Sequence, residues 1–439
     1  MKAFIKTYGC QMNKYDSEII AGILKENGFK LTEKTNDADI ILVNTCSVRE
    51  HAEKRMLGYL TVISNLKKEN PDLIIGVVGC AALRLNKKIL KKIPGVNFVL
   101  GPDKYKLLPG LLTDLSCFDE TCYTVNNKEK YEDIIPVRNN GISEWVAIMR
   151  GCNNFCSYCV VPYVRGRERS RSVKSIITEI KELVAQGIKE VTLLGQNVNS
   201  YNDGSFDFPD LLRRVSEIDG LKRIRFATSH PKDLSTKLLE VIKERKNICN
   251  HIHLPVQSGS GKILKKMNRK YTPEEYISLV EKAKSMIEGI SITTDIITGF
   301  PGETEEDHQA TMELIRKLEF DSSFVFRYSP REGTKAFHYK DDVPENVKIR
   351  RLEEINSLQQ SISEKINKKL IGKTCEVLIE GTSRRSKKEM KGKLDSGKGV
   401  VIKENDKKVK AGDIIKVRIF DANSKTLFGK INGRKNVDI

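Results

Sequence analysis

The chain has 439 residues, 31% of them charged and 39% hydrophobic, with only 13 prolines. That balance excludes a disordered or collagen-like polymer, and at roughly 150 residues per domain it leaves room for about three packed cores. The net charge of +18, from 76 Lys plus Arg against 58 Asp plus Glu, points to a polyanionic partner, with nucleic acid ahead of a membrane surface. No apolar run reaches the roughly 18 residues of a membrane span. The opening M-K-A-F-I-K-T-Y-G-C lacks a secretory h-region, so a cytoplasmic location without a membrane partner is expected. Disulfides are rare in that compartment, so the ten cysteines need another use, and metal is the first.

Residues 1–120 alternate short apolar runs with helical patterns. Runs at 3–8, 38–44 and 73–78 predict strands, and Ile19, Ile20, Ile23 and Leu24 predict a helix over 17–27, stopped at Gly28. Continuous apolar strands separated by helices imply a doubly wound parallel α/β fold. A polar, mixed stretch gives a linker over 121–137.

Residues 138–370 carry strand patterns at 145–149, 190–194, 223–227, 251–256, 291–297 and 323–328. Between the first two, Val173, Ile176, Ile177, Ile180, Leu183 and Val184 form a helical face, with Ser172 as N-cap and Gly187 as the stop. Six β/α units suit a partial (β/α)6 barrel of TIM-like type. A long helix follows over 346–370. The tail, 371–439, has short alternating runs punctuated by Gly and predicts a small all-β barrel. It holds 18 Lys plus Arg against 9 Asp plus Glu, so half the excess charge lies there, as an RNA-binding barrel would require.

Two cysteine triads carry the chemistry. Cys152, Cys156 and Cys159 lie in R-G-C-N-N-F-C-S-Y-C, directly after the first barrel strand. Structural zinc wants four ligands, and no fourth Cys or His is near. Three thiolates can hold a 4Fe–4S cubane and leave one iron open for a substrate or cofactor. Cys10, Cys46 and Cys80 are far apart in sequence, yet each directly follows a predicted strand. Parallel strands end on one edge, so these three can converge into a second open-iron site. Cys117, Cys122, Cys249 and Cys375 follow no ligand spacing. Polar residues at the C-terminal ends of the barrel strands are candidates for cofactor binding, namely Gln196, Asn197, Ser229, Gln257 and Asp295. Gly299 and Gly302 are further candidates, where a cofactor would approach the backbone. Arg165, Arg167, Arg169 and Arg171 recur at spacing two after the cysteine loop and are candidate RNA or phosphate contacts.

The C-x3-C-x2-C loop resembles that of the radical S-adenosylmethionine (SAM) superfamily. The whole chain resembles the methylthiotransferase family of that superfamily, in its N-terminal, radical SAM and C-terminal TRAM parts. The matching segments are I-K-T-Y-G-C-Q-M-N-K-Y-D-S, V-N-T-C-S-V-R-E-H-A-E-K-R, G-C-N-N-F-C-S-Y-C-V-V-P-Y-V-R-G-R-E-R-S-R, H-L-P-V-Q-S-G-S and D-I-I-T-G-F-P-G-E-T-E-E-D. G-C-Q-M-N and N-T-C-S-V-R-E favour the tRNA-modifying MiaB type. The alternatives are the types that act on threonylcarbamoyl-adenosine of tRNA or on a ribosomal-protein aspartate.

The resemblance implies 2-methylthiolation of N6-isopentenyl-adenosine, at the position 3′ of the tRNA anticodon. It implies two 4Fe–4S clusters and two SAM per turnover. The cluster on Cys152, Cys156 and Cys159 would cleave SAM, and that on Cys10, Cys46 and Cys80 would carry the sulfur. The implied partners are the tRNA anticodon stem-loop and an electron donor such as flavodoxin or ferredoxin, with the enzyme a monomer. The N-terminal domain must then sit over the barrel mouth.

Overall fold

The computed structural model describes residues 1–47, 50–119, 122, 128–138, 141–383, 385–403 and 408–432. Parts of the predicted linker, and Val48 and Arg49 of the second family segment, lie outside the described residues.

The N-terminal sheet is parallel throughout. Its strands are β1 (Lys2–Tyr8), β2 (Lys30–Leu31), β3 (Ile40–Thr45), β4 (Ile74–Val78) and β5 (Phe98–Leu100), in the order β2-β1-β3-β4-β5. β3 shows why it is doubly wound. Ile40 and Leu42 enter the core under helix Gln11–Glu26, while Ile41 and Val43 enter the opposite core under helix Glu50–Ser64. A strand buried on both faces has no polar alternation.

Helix Gln11–Glu26 begins six residues earlier than the expected 17–27. Its first turns bury Asn13 and Asp16 completely, so polar residues occupy positions where periodicity predicts apolar ones. β5 was likewise not predicted.

Six parallel strands form the central unit. They are β6 (Ser143–Ala147), β9 (Glu190–Leu194), β10 (Arg223–Ala227), β11 (His251–His253), β12 (Ser291–Thr298) and β13 (Ser322–Arg327). The short antiparallel pair β7 (Met149–Arg150) and β8 (Arg169–Ser170) lies between β6 and β9 in sequence. The strands pair as β6-β9-β10 and β11-β12-β13, and a parallel bridge from Ile224 to Ile248 joins the two sheets. Among the described residues β6 and β13 do not pair, so the barrel is open on one side. Ser172 caps helix Val173–Ala185 as expected, its Oγ accepting from Ser175 N–H at 3.3 Å.

The last 24-residue helix, Glu345–Lys368, packs on β13 and leads to a closed barrel of β14 (Thr374–Thr382), β15 (Met390–Lys393), β16 (Gly399–Ile402), β17 (Ile414–Ala422) and β18 (Thr426–Ile431). Sequence periodicity missed β15, a four-residue strand containing Gly392. This barrel closes the N-terminal end of the central one. Arg223 donates to the carbonyls of Lys393 and Glu376, and Arg225 to those of Asp395 and Leu394.

Candidate metal centre

Cys10, Cys46 and Cys80 follow β1, β3 and β4, three adjacent strands. Their loops can crowd only because two glycines lack side chains. A Cβ on Gly9 would lie 2.4 Å from the Cys46 Cβ, and one on Gly79 would lie 2.3 Å from Asn44 Oδ1. Both have positive φ, +133° and +92°. Asn44 and Asn13 brace the loops, with Asn13 Nδ2 donating to Asn44 Oδ1 at 3.1 Å and the Cys10 thiol donating to Asn13 Oδ1 at 3.2 Å. Hydrogen bonding with Cys46 draws the Cys10 thiol down to about 6, against burial, with Arg165 assisting. Burial pushes Cys80 up to about 11, against the nearby Arg165.

Cys152, Cys156 and Cys159 lie on one loop between β7 and helix Val161–Arg165. Burial pushes the Cys152 thiol up to about 11 and that of Cys159 to about 12. Two cations of the barrel reach cysteine sulfur, one at each triad. Arg269 Nη1 donates to Cys156 at 3.4 Å, and Arg165 Nε donates to Cys80 at 3.1 Å. Asn154 Nδ2 donates to Cys152 at 3.4 Å. The two triads abut through protein, since Cys80 and Leu83 share a buried cluster with Val160, the residue after Cys159, and Val164 of the helix that follows. The N-terminal domain therefore sits against the cysteine loop at the barrel mouth.

The polar candidates fall at that mouth with different surroundings. Gln196 Oε1 accepts from Gly151 N–H at 2.6 Å and so braces the cysteine loop. Asn197 donates to Asp233 at 2.7 Å. Its Oδ1, the Ser229 Oγ and both amide atoms of Asn199 are buried and have no hydrogen-bond partner. Asn199 was not predicted, although it lies two residues beyond Asn197 at the same strand end. Gln257 is buried, takes a φ of +72°, and lies on β12 through a bridge to Ile296. Asp295 lies 3.4 Å from His253 Nε2.

Gly299 and Gly302 both face lysines: a Cβ on Gly299 would meet the packed stem of Lys348, and one on Gly302 the ammonium end of Lys266.

The four arginines also divide. Arg165 and Arg150 both donate to the fully buried Asp16, at 2.6 and 2.8 Å. Arg169 donates to Asp103 at 2.8 Å. Arg171 donates to Tyr15 at 3.0 Å and Glu179 at 2.6 Å. Arg165, Arg169 and Arg171 are thus buried against protein acceptors and out of reach of a phosphate. Arg167 alone of the four is exposed, 4.4 Å over the Phe155 ring. Arg169 on β8 and Arg171 just after it reach Asp103 and Tyr15 of the N-terminal unit, and Arg165 reaches Asp16 from a helix end.

Family models match three segments: the radical SAM superfamily over residues 146–315, the uncharacterized protein family UPF0004 over 2–101 and the TRAM domain over 368–431. The chain is 48% identical to the tRNA-2-methylthio-N(6)-dimethylallyladenosine synthase of Bacteroides thetaiotaomicron, covering 98% of this chain and 96% of that one. It is 49% identical to the synthase of the same name from Chloroherpeton thalassium, covering 98% and 95%. The chain belongs to the tRNA-2-methylthio-N(6)-dimethylallyladenosine synthase family.

This synthase-family member is a radical SAM transferase, and SAM and 4Fe–4S clusters are the cofactors of that class. Its fold is shared with a radical SAM methyltransferase, TsrM of Kitasatospora setae, at a TM-score of 0.56 and 16% identity, covering 74% of this chain and 72% of that one. No described helix of the synthase-family chain is long and apolar enough to cross a membrane.

The residues present fit the cofactors of the family. Each triad offers three soft sulfur donors, the donor type that iron–sulfur clusters take. The unpartnered buried atoms of Asn197, Asn199 and Ser229 suit a polar ligand beside the Cys152, Cys156 and Cys159 loop, because such atoms are costly unless hydrogen-bonded.

Proposed function

We propose that this chain attaches a methylthio group to C2 of N6-isopentenyl-adenosine, at the position 3′ of the tRNA anticodon. The observation that carries the reading is the convergence of two three-cysteine sets at one barrel mouth. Cys152, Cys156 and Cys159 would hold one 4Fe–4S cluster with SAM, and Cys10, Cys46 and Cys80 a second that carries the sulfur, with two SAM consumed per turnover. Bound there, cluster and SAM together supply one-electron chemistry able to act on an unactivated C–H bond, which acid–base residues cannot do.

The protein's own part is positioning. Gln196 fixes the cysteine loop through Gly151, and Arg269 holds the Cys156 sulfur. Asn197, Asn199 and Ser229 offer hydrogen bonds to SAM, with Gln257 beyond β11 and Asp295 within β12 as further candidates. The target adenine must leave its stack to reach this depth. Arg167 and the basic C-terminal barrel would hold the anticodon stem-loop. We assign residues 1–120 to the sulfur-carrying domain, 121–137 to a linker, 138–370 to the radical SAM domain and 371–439 to RNA binding. The enzyme would work as a cytoplasmic monomer, with a flavodoxin or ferredoxin as electron donor.

Anaerobic reconstitution with iron and sulfide analysis tests this. Wild type should hold about eight irons and the Cys10→Ala/Cys46→Ala/Cys80→Ala variant about four, as two cubanes require. The variant should still cleave SAM and fail to thiolate tRNA. About four irons in both proteins would reduce the enzyme to a single-cluster one.

A further inference from the structure

Arg165 belongs to the barrel unit, yet its guanidinium is committed to the N-terminal one. It ends helix Val161–Arg165, which is tied to the cysteine loop by the Cys152 N–H bond to the Gly166 carbonyl, 3.1 Å. From there Nε donates to Cys80 Sγ at 3.1 Å and Nη2 to Asp16 at 2.6 Å. Nη1 is buried and has no hydrogen-bond partner. Arg165 is 3% exposed, Arg150 2% and Asp16 0%. Two guanidiniums against one carboxylate leave one uncancelled positive charge sealed beside the triad. Burying it is costly unless something anionic shares the site. The triad's cysteines, as thiolates holding a metal group, supply that anion.

We propose that Arg165 is a positioning residue for the second iron–sulfur site, placing a fixed cation from the radical SAM domain on the Cys80 sulfur and so raising the reduction potential of the cluster held there. This rests on the reading that Cys10, Cys46 and Cys80 hold a cluster. Hydrogen bonds to ligand sulfur and the net charge around a cluster set its potential, and reduction adds negative charge that a neighbouring cation stabilises. Because Arg165 and Cys80 belong to different domains, the potential of the second site depends on the docking of the two.

The test is a redox titration of the anaerobically reconstituted full chain, followed by electron paramagnetic resonance. The two clusters are told apart by which signal changes on adding SAM. Arg165→Gln should lower the potential of the SAM-insensitive signal by at least a tenfold change in its reduced-to-oxidised ratio, 59 mV for one electron. Arg165→Lys, which keeps the charge but not the planar fork, should retain most of the wild-type value. Asp16→Asn removes the offsetting negative charge and should move the same signal upward, which covers the case of an Arg165→Gln protein that does not fold. An unmoved signal in the folded variants, or a Lys variant displaced as far as the Gln variant, overturns the proposal. A wild type with a single cluster overturns the reading beneath it instead.

Discussion

Arg223, the first residue of β10, reaches out of the floor of the central barrel and donates Nη1 to the Lys393 carbonyl in β15 at 2.6 Å. With Nη2 on Glu376, and Arg225 on Asp395 and Leu394, two arginines of one strand satisfy four carbonyls of the C-terminal barrel. Arg223 is only 5% exposed, so its loss would leave acceptors without a donor. Arg223→Ala should weaken docking by about 2 kcal/mol. Limited proteolysis should then release a fragment starting soon after Lys368. Unchanged digestion would mean that the long helix alone holds the barrel in place.

Asp16 is the acidic centre of the contact between the N-terminal and radical SAM units, taking Arg150, Arg165 and the Tyr105 hydroxyl. Burial alone would raise its carboxyl, but the two guanidiniums outweigh that and hold it below the ordinary value. A depressed carboxylate stabilises the fold above its unfolded pKa, and that contribution is lost as pH falls through the folded value. Asp16→Ala leaves two buried cations unpaired and should cost about 3–5 kcal/mol in denaturant unfolding at neutral pH. A loss under about 1 kcal/mol would show that the arginines find other acceptors.

Glu18, half a turn further along the same helix, has the opposite pH dependence. Burial pushes it up to about 8, with Arg138 opposing and Glu144 and Glu179 adding to the rise. Between the ordinary carboxylate value and about 8 the folded protein binds the extra proton, so stability falls as pH rises through that window. Glu18→Gln should therefore be more stable than wild type at pH 9, by as much as about 4 kcal/mol, and nearly equal to it at pH 5. Thermal unfolding at the two pH values decides the matter, and a pH-independent difference counts against the burial argument.

On the C-terminal barrel, β17 exposes Lys416, Arg418 and Phe420 along one face, and Lys430 lies 5.9 Å over the Phe420 ring. Cations interleaved with an aromatic suit a single-stranded nucleic acid backbone and its bases. Lys416→Ala/Arg418→Ala should weaken tRNA binding and flatten its dependence on salt. The slope of log affinity against log salt should fall by about 1.4–1.8 if both neutralise phosphates. Weaker binding with an unaltered slope would place these residues away from the RNA backbone.

Much of the architecture is written locally. An apolar run that never alternates dictates a strand buried on both faces, and a Cys just past its end is thereby placed on the C-terminal edge of a parallel sheet. Cys152, Cys156 and Cys159 share one loop, so their spacing alone constrains them. Such features depend on a few neighbouring residues and on the covalent geometry of the chain. The destinations of the long polar side chains do not. Arg165, Arg167, Arg169 and Arg171 look alike in sequence, yet three are buried against partners up to 156 residues away and one is exposed. Tyr131 sits in a stretch that reads as a linker, but it is fully buried, stacked on Tyr105 and under Arg150. Asn13 and Asp16 are polar residues buried completely, Asn13 bracing the cysteine loops and Asp16 at the centre of a domain contact. A buried charge is tolerable only when its partner is in place, and only the packing of one domain on the next brings that partner.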